Sequence, residues 1–267
     1  MIIGNSSNIG SIPLPKVTVG IVAYNTPEST LEKTFSSLRA SNLDLYIVVF
    51  CNSILDQYQK KIQILCNNYK VDFRGNQPNK GFGHGHNQIA SLCKSEWYIC
   101  CNPDVVVNSS TIATLLAFGE QNGDSVLLMP RILSPDGTVQ PVARQTLTPK
   151  AWVQRQLWRL MPKIFSLPER RFDYNKSQPV DFVSGSFFAV KLEIFLALNG
   201  FDESFFLYAE DADLSYRAKS IGENYFVATA EITHYWTTAN HRNLRTIRIE
   251  LYSLFRYFKK HRLWTSF

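Results

Sequence analysis

Short apolar runs alternate with segments of helical spacing along the first half of the chain. The apolar runs occupy residues 17–25, 45–52, 97–104 and 126–133, with a short strand pattern at 70–73. The helical segments occupy 28–38, 56–69 and 87–94. Runs that are apolar at nearly every position are typical of strands buried on both faces. Their alternation with helices predicts a parallel sheet flanked by helices.

Polar side chains end three of these strands. The pairs at 24–25 and 51–52 follow the first two strands, and the tripeptide Asn102-Pro103-Asp104 closes the strand at 97–104. In open α/β sheets, ligands bind outside the carboxyl ends of the strands. We therefore expect the functional site at this edge of the sheet.

The composition is that of a globular protein, with 45% hydrophobic and 19% charged residues. No apolar run reaches the roughly 18 to 20 residues of a membrane-spanning helix, and the first residues lack the pattern of a secretory signal. Five cysteines without a CxxC pair predict buried thiols in a reducing cytosol. We predict a polar leader at 1–15, a main domain at 16–240 and a C-terminal helix at 241–267.

The net charge of +6 is concentrated in two segments. Residues 144–171 and 242–262 each hold seven basic side chains against one acidic side chain, which leaves the rest of the chain net acidic. In the second segment, apolar positions share one helical face: Ile247, Leu251, Leu254, Phe255 and Phe258. Basic positions share the other: Arg245, Arg248, Arg256 and Lys259. This pattern predicts an amphipathic helix that lies on an anionic membrane or packs on protein, and the sequence leaves both open.

Three carboxylates stand close together at the predicted start of a helix. Glu210, Asp211 and Asp213 fall within four residues, and acidic side chains suit the first turn of a helix. Their mutual repulsion predicts a perturbed pKa or a cation partner, although simple helix capping remains the alternative. Asp104 at a strand tip and His234 after another apolar strand are candidate ligands of a divalent cation, and imidazole suits Mn²⁺ better than Mg²⁺.

The glycine-rich segment at 79–87 predicts an anion-binding loop that opens a helix. Glycines at 81, 83 and 85 leave backbone N–H groups accessible, and a helix N-terminus favours anions. The segment is neither a P-loop nor a dinucleotide-binding fingerprint, because the spacing differs from both. An ordinary glycine turn remains the alternative.

Taken in order, these motifs resemble glycosyltransferase family 2, in its rhamnosyltransferase-like branch. The matching segments are VTVGIVAYN, NKGFGHGHNQI, CNPDVVV and a long block from GSFFAV to GFDESFFLYAEDADLSYR, followed by His234. The resemblance covers roughly residues 17–236. It implies the GT-A fold, a Rossmann-like and mostly parallel mixed sheet, with 16–240 as the catalytic domain and inverting, metal-dependent transfer from a nucleotide-sugar.

The resemblance also implies a role for individual residues. Asp211 is the expected general base, Asp104 and His234 the expected ligands of Mn²⁺ or Mg²⁺, and Gly185, Glu210 and Arg217 are expected at the substrate. The expected donor-binding residues are Tyr24, Asn25, Asn52, Asn79, Gly81, Asn87, Asn102 and Asp104. Two positions depart from the family pattern. Cys51 stands where the family often has an Asp that contacts the nucleobase, so the resemblance does not indicate which nucleobase the donor carries. Asn102 replaces the first Asp of Asp-x-Asp.

The predicted activity is transfer of a sugar, with dTDP-rhamnose as the favoured donor, to a saccharide or polyprenyl-diphosphate-linked acceptor in bacterial surface polysaccharide synthesis. A UDP- or GDP-sugar donor, a sugar nucleotidyltransferase and a catalytically inactive sugar-binding relative are alternatives. A nucleic-acid-binding protein is a further alternative, but the net acidic charge outside the two basic segments argues against it. We expect a cytoplasmic protein, peripheral on the inner face of the membrane, and a homo-oligomer is compatible with the sequence. The basic, tryptophan-containing stretch at 150–165 is expected to serve the same membrane surface or to cover the acceptor site.

Overall fold

The computed structural model describes residues 16–75, 77–143, 147–161, 163–164, 172–235 and 244–265. The predicted leader at 1–15 lies outside these residues. The strands are β1 Val17–Ala23, β2 Leu45–Cys51, β3 Asp72–Arg74, β4 Trp97–Cys101, β5 Val105–Val107, β6 Ser125–Leu133, β7 Gln178–Pro179, β8 Phe187–Lys191 and β9 Glu223–His234. The helices are α1 Glu28–Arg39, α2 Asp56–Asn68, α3 Phe82–Leu92, α4 Thr111–Gln121, α5 Pro149–Leu160, α6 Leu192–Ala197, α7 Glu210–Ala218 and α8 Leu244–Lys260.

The strands form one mixed sheet in the order β3-β2-β1-β4-β8-β6-β9-β5, and β7 pairs with β9. The first four in this order are parallel, as the continuous apolar runs predict. Strand β8 runs antiparallel to both of its neighbours, β4 and β6, while β6 and β9 are parallel. A mostly parallel mixed sheet flanked by helices is the expected GT-A arrangement.

The glycine-rich segment is where the sequence-based prediction of local structure is wrong. Helix α3 begins at Phe82, so the glycines at 83 and 85 are helical rather than part of a loop. Glycine is a poor helix former, which made a loop the natural prediction. The packing explains the choice, because a Cβ at Gly83 would lie 2.7 Å from Phe201, and one at Gly85 would lie 2.7 Å from Val22. The glycines let α3 approach its neighbours closely.

Helix α8 packs against the body of the protein through one face. Leu254, Tyr257 and Phe258 are buried in a second apolar cluster that includes Phe205 and Ala212. The apolar face predicted from the sequence is therefore divided. Leu254 and Phe258 are buried in this cluster, whereas the other members are exposed: Ile247, Leu251 and Phe255. None of the helices in the described parts of the chain combines the length and apolarity needed to cross a bilayer.

Candidate active site

The ends of β1 and β2 form one wall of the candidate site. Asn25 has a left-handed backbone with φ of 51°, and its side-chain oxygen accepts a hydrogen bond of 2.8 Å from the Ser53 hydroxyl. Asn52 is buried, and its backbone N–H donates to the carbonyl of Ala23 at 2.8 Å. Tyr24 stands beside them with 57% of its surface exposed. An open cleft of about 460 Å³ adjoins this wall, within the range of ordinary ligand sites.

A tight glycine turn connects this wall to the loop that precedes α7. The Asn52 amide donates to the carbonyl of Gly81 at 3.0 Å, and the Asn79 side chain accepts from the Gly81 N–H at 3.0 Å. Gly81 has φ of 109°, and a Cβ there would lie 2.3 Å from the carbonyl oxygen of Phe206. That carbonyl also accepts from the N–H of Phe82. The expected anion-binding turn is thus held by contacts that only glycine permits.

Asp104 and His234 meet behind the end of β4. Asp104 Oδ1 lies 3.2 Å from His234 Nε2, and both atoms are buried without a hydrogen bond of good geometry among the described residues. The N–H of Tyr235 donates to the Asp104 carbonyl at 2.9 Å and fixes the two segments together. Within the described chain, no three His, Cys, Asp or Glu side chains cluster as a complete metal site. An oxygen and a nitrogen ligand that lack partners fit a divalent cation completed by substrate oxygens and water.

Asp211, the expected base, lies close to the same strand end. Its Oδ2 accepts a hydrogen bond of 3.1 Å from the N–H of Gly185, and its Oδ1 accepts from the N–H of Ala212 at 2.9 Å. The adjacent Ser186 carbonyl accepts from the N–H of Asn102 at 2.8 Å. The turn at 184–186 therefore joins Asp211 to the segment that carries Asp104.

Glu210 is buried beside Asp211, and both burial and this neighbour make it a weaker acid. Burial, reinforced by the charge of Asp211, raises the pKa of Glu210 to about 8, and its Oε2 has no hydrogen-bond partner among the described residues. The two preceding residues, Tyr208 and Ala209, have left-handed backbones with φ of 69° and 65°. Such conformations cost energy in residues other than glycine and are often found at functional sites. Burial and the neighbouring Asp211 thus favour the protonated form of Glu210.

Asn87 and Arg217 support the loop before α7. The Asn87 amide accepts from the N–H of Phe201 at 2.9 Å and donates to its carbonyl at 2.8 Å. Arg217 donates to the carbonyls of Leu198 at 2.6 Å and Gly200 at 2.7 Å. Both side chains hold the loop at 198–203 through their polar groups, and their expected roles at the donor and the substrate stay predictions.

A buried charge cluster that the sequence did not reveal joins α7 to the end of α8. Asp213 is 0% exposed and lies 2.8 Å from Arg217, 2.6 Å from Lys260 and 2.8 Å from His261. Lys260 also pairs with Asp202 at 2.7 Å. Burial alone would raise the pKa of Asp213, but hydrogen bonds from His261 and Lys260 and the charge of Arg217 lower it below the ordinary value. Only the i, i+4 spacing of Asp213 and Arg217 was visible in the sequence.

Comparison with known proteins gives the family of the chain. The model of the family described as "Glycosyl transferase family 2" matches residues 18–198, which is more than half of the chain. The matched region contains β1 to β4, the glycine turn, Asp104 and Gly185.

Curated relatives and solved structures agree with this match. An "N-acetylglucosaminyl-diphospho-decaprenol L-rhamnosyltransferase" of Mycobacterium tuberculosis is 32% identical over 145 residues, which cover 52% of this chain and 47% of the relative. "Rhamnosyltransferase WbbL" of Escherichia coli K12 is 27% identical over 197 residues, which cover 68% of this chain and 72% of the relative. The match thus spans about half the length of the mycobacterial protein.

Two solved structures share the fold. The mannosyltransferase PcManGT of Pyrobaculum calidifontis, in complex with GDP-Man and Mn²⁺, has a TM-score of 0.65 and 14% identity, and the match covers 94% of this chain and 65% of that one. GalNAc-T7 with UDP, GalNAc and Mn²⁺ has a TM-score of 0.64 and 18% identity, and the match covers 93% of this chain and 48% of that one. The fold is GT-A, and the chain belongs to glycosyltransferase family 2.

Proposed function

We propose that this protein is an inverting glycosyltransferase that uses a nucleotide-sugar donor and a divalent cation. The observation that carries the proposal is the connection of Asp211 to the end of β4, where Asp104 and His234 pair. The bond from Gly185 to Asp211 and the bond from Asn102 to Ser186 make this connection within a few residues. A base and a cation site at one sheet edge are the groups that a single displacement needs.

Asp211 is the proposed general base. Its carboxylate would take the proton from an acceptor hydroxyl as that oxygen attacks the anomeric carbon, and one base without a nucleophile gives inversion. Burial favours the protonated form of Glu210, which would donate a hydrogen bond to a substrate oxygen without adding a second negative charge. Bound at Asp104 and His234, Mn²⁺ or Mg²⁺ would supply positive charge for the leaving diphosphate. Two fold relatives were determined with Mn²⁺.

The cleft beside β1 and β2 is the proposed site of the nucleoside. Its lining combines the apolar side chains of Pro27 and Leu55 with the polar groups of Asn25 and Lys61. Cys51 is fully buried beneath this wall, so the carboxylate that the family pattern has there is absent from the cleft. We propose dTDP-rhamnose as the donor, because two curated relatives are named rhamnosyltransferases. A UDP- or GDP-sugar is the alternative that the assay distinguishes.

Nucleotide release by the purified protein tests this proposal. The protein is incubated with Mn²⁺ and each of dTDP-rhamnose, UDP-sugars and GDP-sugars, with and without a lipid-linked or short glycan acceptor. We expect release from one donor, loss of release with EDTA and in Asp104→Ala, and a reduction of roughly 10²- to 10⁴-fold in Asp211→Asn. Asp181→Asn changes a carboxylate that pairs with Lys219 away from the site and serves as the control. Near wild-type turnover in Asp211→Asn would exclude Asp211 as the base.

The exposed part of α8 is the proposed contact with an anionic membrane, where a polyprenyl-diphosphate-linked acceptor resides. Leu244, Leu251 and Phe255 of α8 are 82%, 48% and 54% exposed, and Trp264, just beyond the helix, is 44% exposed. Exposed basic residues alternate with them: Arg245, Arg248, Lys259 and Arg262. Apolar side chains among cations are typical of helices that lie at an anionic interface. All five cysteines are free, which fits the cytoplasmic face of the membrane.

Flotation with anionic and neutral liposomes tests the membrane contact. Removal of α8 would break the bonds of Lys260 and His261 to Asp213, so point substitutions are the better probe. We expect wild-type protein to float with anionic vesicles and the double variant Leu251→Glu, Phe255→Glu to remain in the dense fraction. The control places the same charges on exposed apolar positions elsewhere, Ile64→Glu with Leu92→Glu. Equal flotation of all three proteins would exclude α8 as the contact.

A further inference from the structure

A buried polar chain lies beneath the proposed base and has no role in the mechanism described above. Tyr98 and Cys100 are two residues apart in β4, so their side chains share one face of the sheet, and both are 0% exposed. His86 in α3 lies between them. Its Nδ1 is 2.7 Å from the Tyr98 hydroxyl, and its Nε2 is 3.3 Å from the Cys100 sulfur. Buried polar groups in contact with one another are costly unless every member has a partner.

The chain continues to the backbone that holds Asp211. The Cys100 thiol lies 3.4 Å from the carbonyl oxygen of Gly185, and the N–H of Gly185 donates to Asp211 Oδ2 at 3.1 Å. Gly185 has no side chain to restrict its φ and ψ, so contacts on either side of its Cα must define its orientation. On one side of this Cα, the Cys100 thiol contacts the Gly185 carbonyl. On the other side, the Gly185 N–H donates to Asp211.

The protonation states of the buried groups allow each of them to donate a hydrogen bond to the next group in the chain. Burial lowers the pKa of His86 to about 3, so its imidazole is neutral with one donor and one acceptor nitrogen. Burial raises the pKa of Cys100 well above its ordinary value, so its sulfur carries a proton. In one consistent arrangement, Tyr98 donates to Nδ1, Nε2 donates to the sulfur, and the thiol donates to the Gly185 carbonyl.

We propose that Cys100, oriented by His86 and Tyr98, is a positioning residue: it holds the Gly185 carbonyl and, through the Cα of Gly185, orients the N–H that aims the carboxylate of Asp211. This inference rests on the proposed function of Asp211 as base. The space that the chain needs is built into β1, because a Cβ at Gly20 would lie 2.1 Å from the Tyr98 hydroxyl. His86 and Cys100 are both 0% exposed, so the contact of Cys100 with Gly185 is the route by which they would act on Asp211.

Three variants of buried cysteines test the proposal. Cys100→Ala removes the donor, Cys100→Ser restores a hydroxyl donor of similar size, and Cys66→Ala makes the same volume change in α2, where Cys66 is also 0% exposed. We expect Cys100→Ala to lower kcat about fivefold, the factor for a hydrogen bond of roughly 1 kcal/mol, with an unchanged KM for the donor. Cys100→Ser and Cys66→Ala should keep the wild-type kcat.

Two further measurements separate positioning from packing. The acidic limb of the kcat against pH profile should move upward in Cys100→Ala, because a carboxylate with a less ordered N–H donor is more basic. Hydrogen exchange of the Gly185 amide should be about fivefold faster in Cys100→Ala and unchanged in Cys100→Ser. Equal losses in the Ala and Ser variants, or an unchanged amide in Cys100→Ala, would overturn the proposal. Absence of turnover in the wild-type protein would refute the proposed function, while the exchange measurement would still decide this inference.

Discussion

Glu210→Gln should abolish a pH dependence of stability that the buried carboxyl group of Glu210 creates. The ordinary pKa of a glutamate here is 4.5, and burial next to Asp211 raises that of Glu210 to about 8. Between these values the folded protein keeps the proton and the unfolded chain releases it, so the free energy of unfolding falls as the pH rises. The slope for one such group is about 1.4 kcal/mol per pH unit. A glutamine keeps the shape of the side chain and removes the titration.

Urea unfolding followed by tryptophan fluorescence at pH 6.0, 6.75 and 7.5 measures this difference. Over those roughly 1.5 pH units, the advantage of Glu210→Gln over wild type should grow by about 2 kcal/mol. The comparison of two variants cancels the contribution of every histidine, because both proteins contain the same ones. Glu193→Gln changes an exposed glutamate, solvated in both states, and should match wild type throughout. A difference between Glu210→Gln and wild type that stays constant with pH would show that Glu210 is ionised in the folded protein.

Two further substitutions test the contacts that surround the site. Gly81→Ala combines φ of 109° with a Cβ 2.3 Å from the Phe206 carbonyl, so it should lower the melting temperature by several degrees more than Gly137→Ala, which has φ of 82° and nothing within 4 Å. Calorimetry that gives equal losses would assign the cost to φ alone. Asp213→Ala should lower the free energy of unfolding by about 3–5 kcal/mol, because Arg217, Lys260 and His261 lose a buried partner. Lys176→Ala breaks the exposed ion pair of 3.8 Å with Asp173 and should lower the free energy of unfolding by less than about 1 kcal/mol, measured by the same urea titration. Equal losses of stability in the two variants would show that solvent screens the charges around Asp213.

The sequence predicted the part of the fold in which neighbours in the chain are neighbours in space. Strands β1 and β2 and helix α2 lie within one or two residues of the predicted bounds, because both strands are apolar throughout and α2 connects the adjacent parallel strands β2 and β3. Strand β4 was predicted from its apolar run, although its partner β1 is not its neighbour in the chain. The start of α3 was missed because its glycines serve close packing against Phe201 and Val22, which only the assembled fold reveals.

The candidate site was predictable only through the family resemblance. Asp104 and His234 are 130 residues apart in the sequence and 3.2 Å apart in space, and no periodic pattern indicates such a contact. Cys100 and Gly185 are likewise in contact although they are 85 residues apart in the sequence, and no periodic pattern indicates this contact either. The resemblance also gave roles to Asn87 and Arg217 that their bonds to the loop at 198–203 do not display. A side chain that supports a site and one that touches its ligand produce the same motif.

The position of β8 has a consequence for synthesis of the chain on the ribosome. Strand β8 lies between β4 and β6 but follows both in the sequence, so β4 keeps an open edge until residues 187–191 have emerged. That edge belongs to Trp97–Cys101, a strand that is buried at every position in the finished protein. An unpaired and wholly apolar edge is a template for pairing between chains. Nascent chains that stop between β4 and β8 should therefore aggregate, and the interval before β8 arrives is when this protein most needs a chaperone.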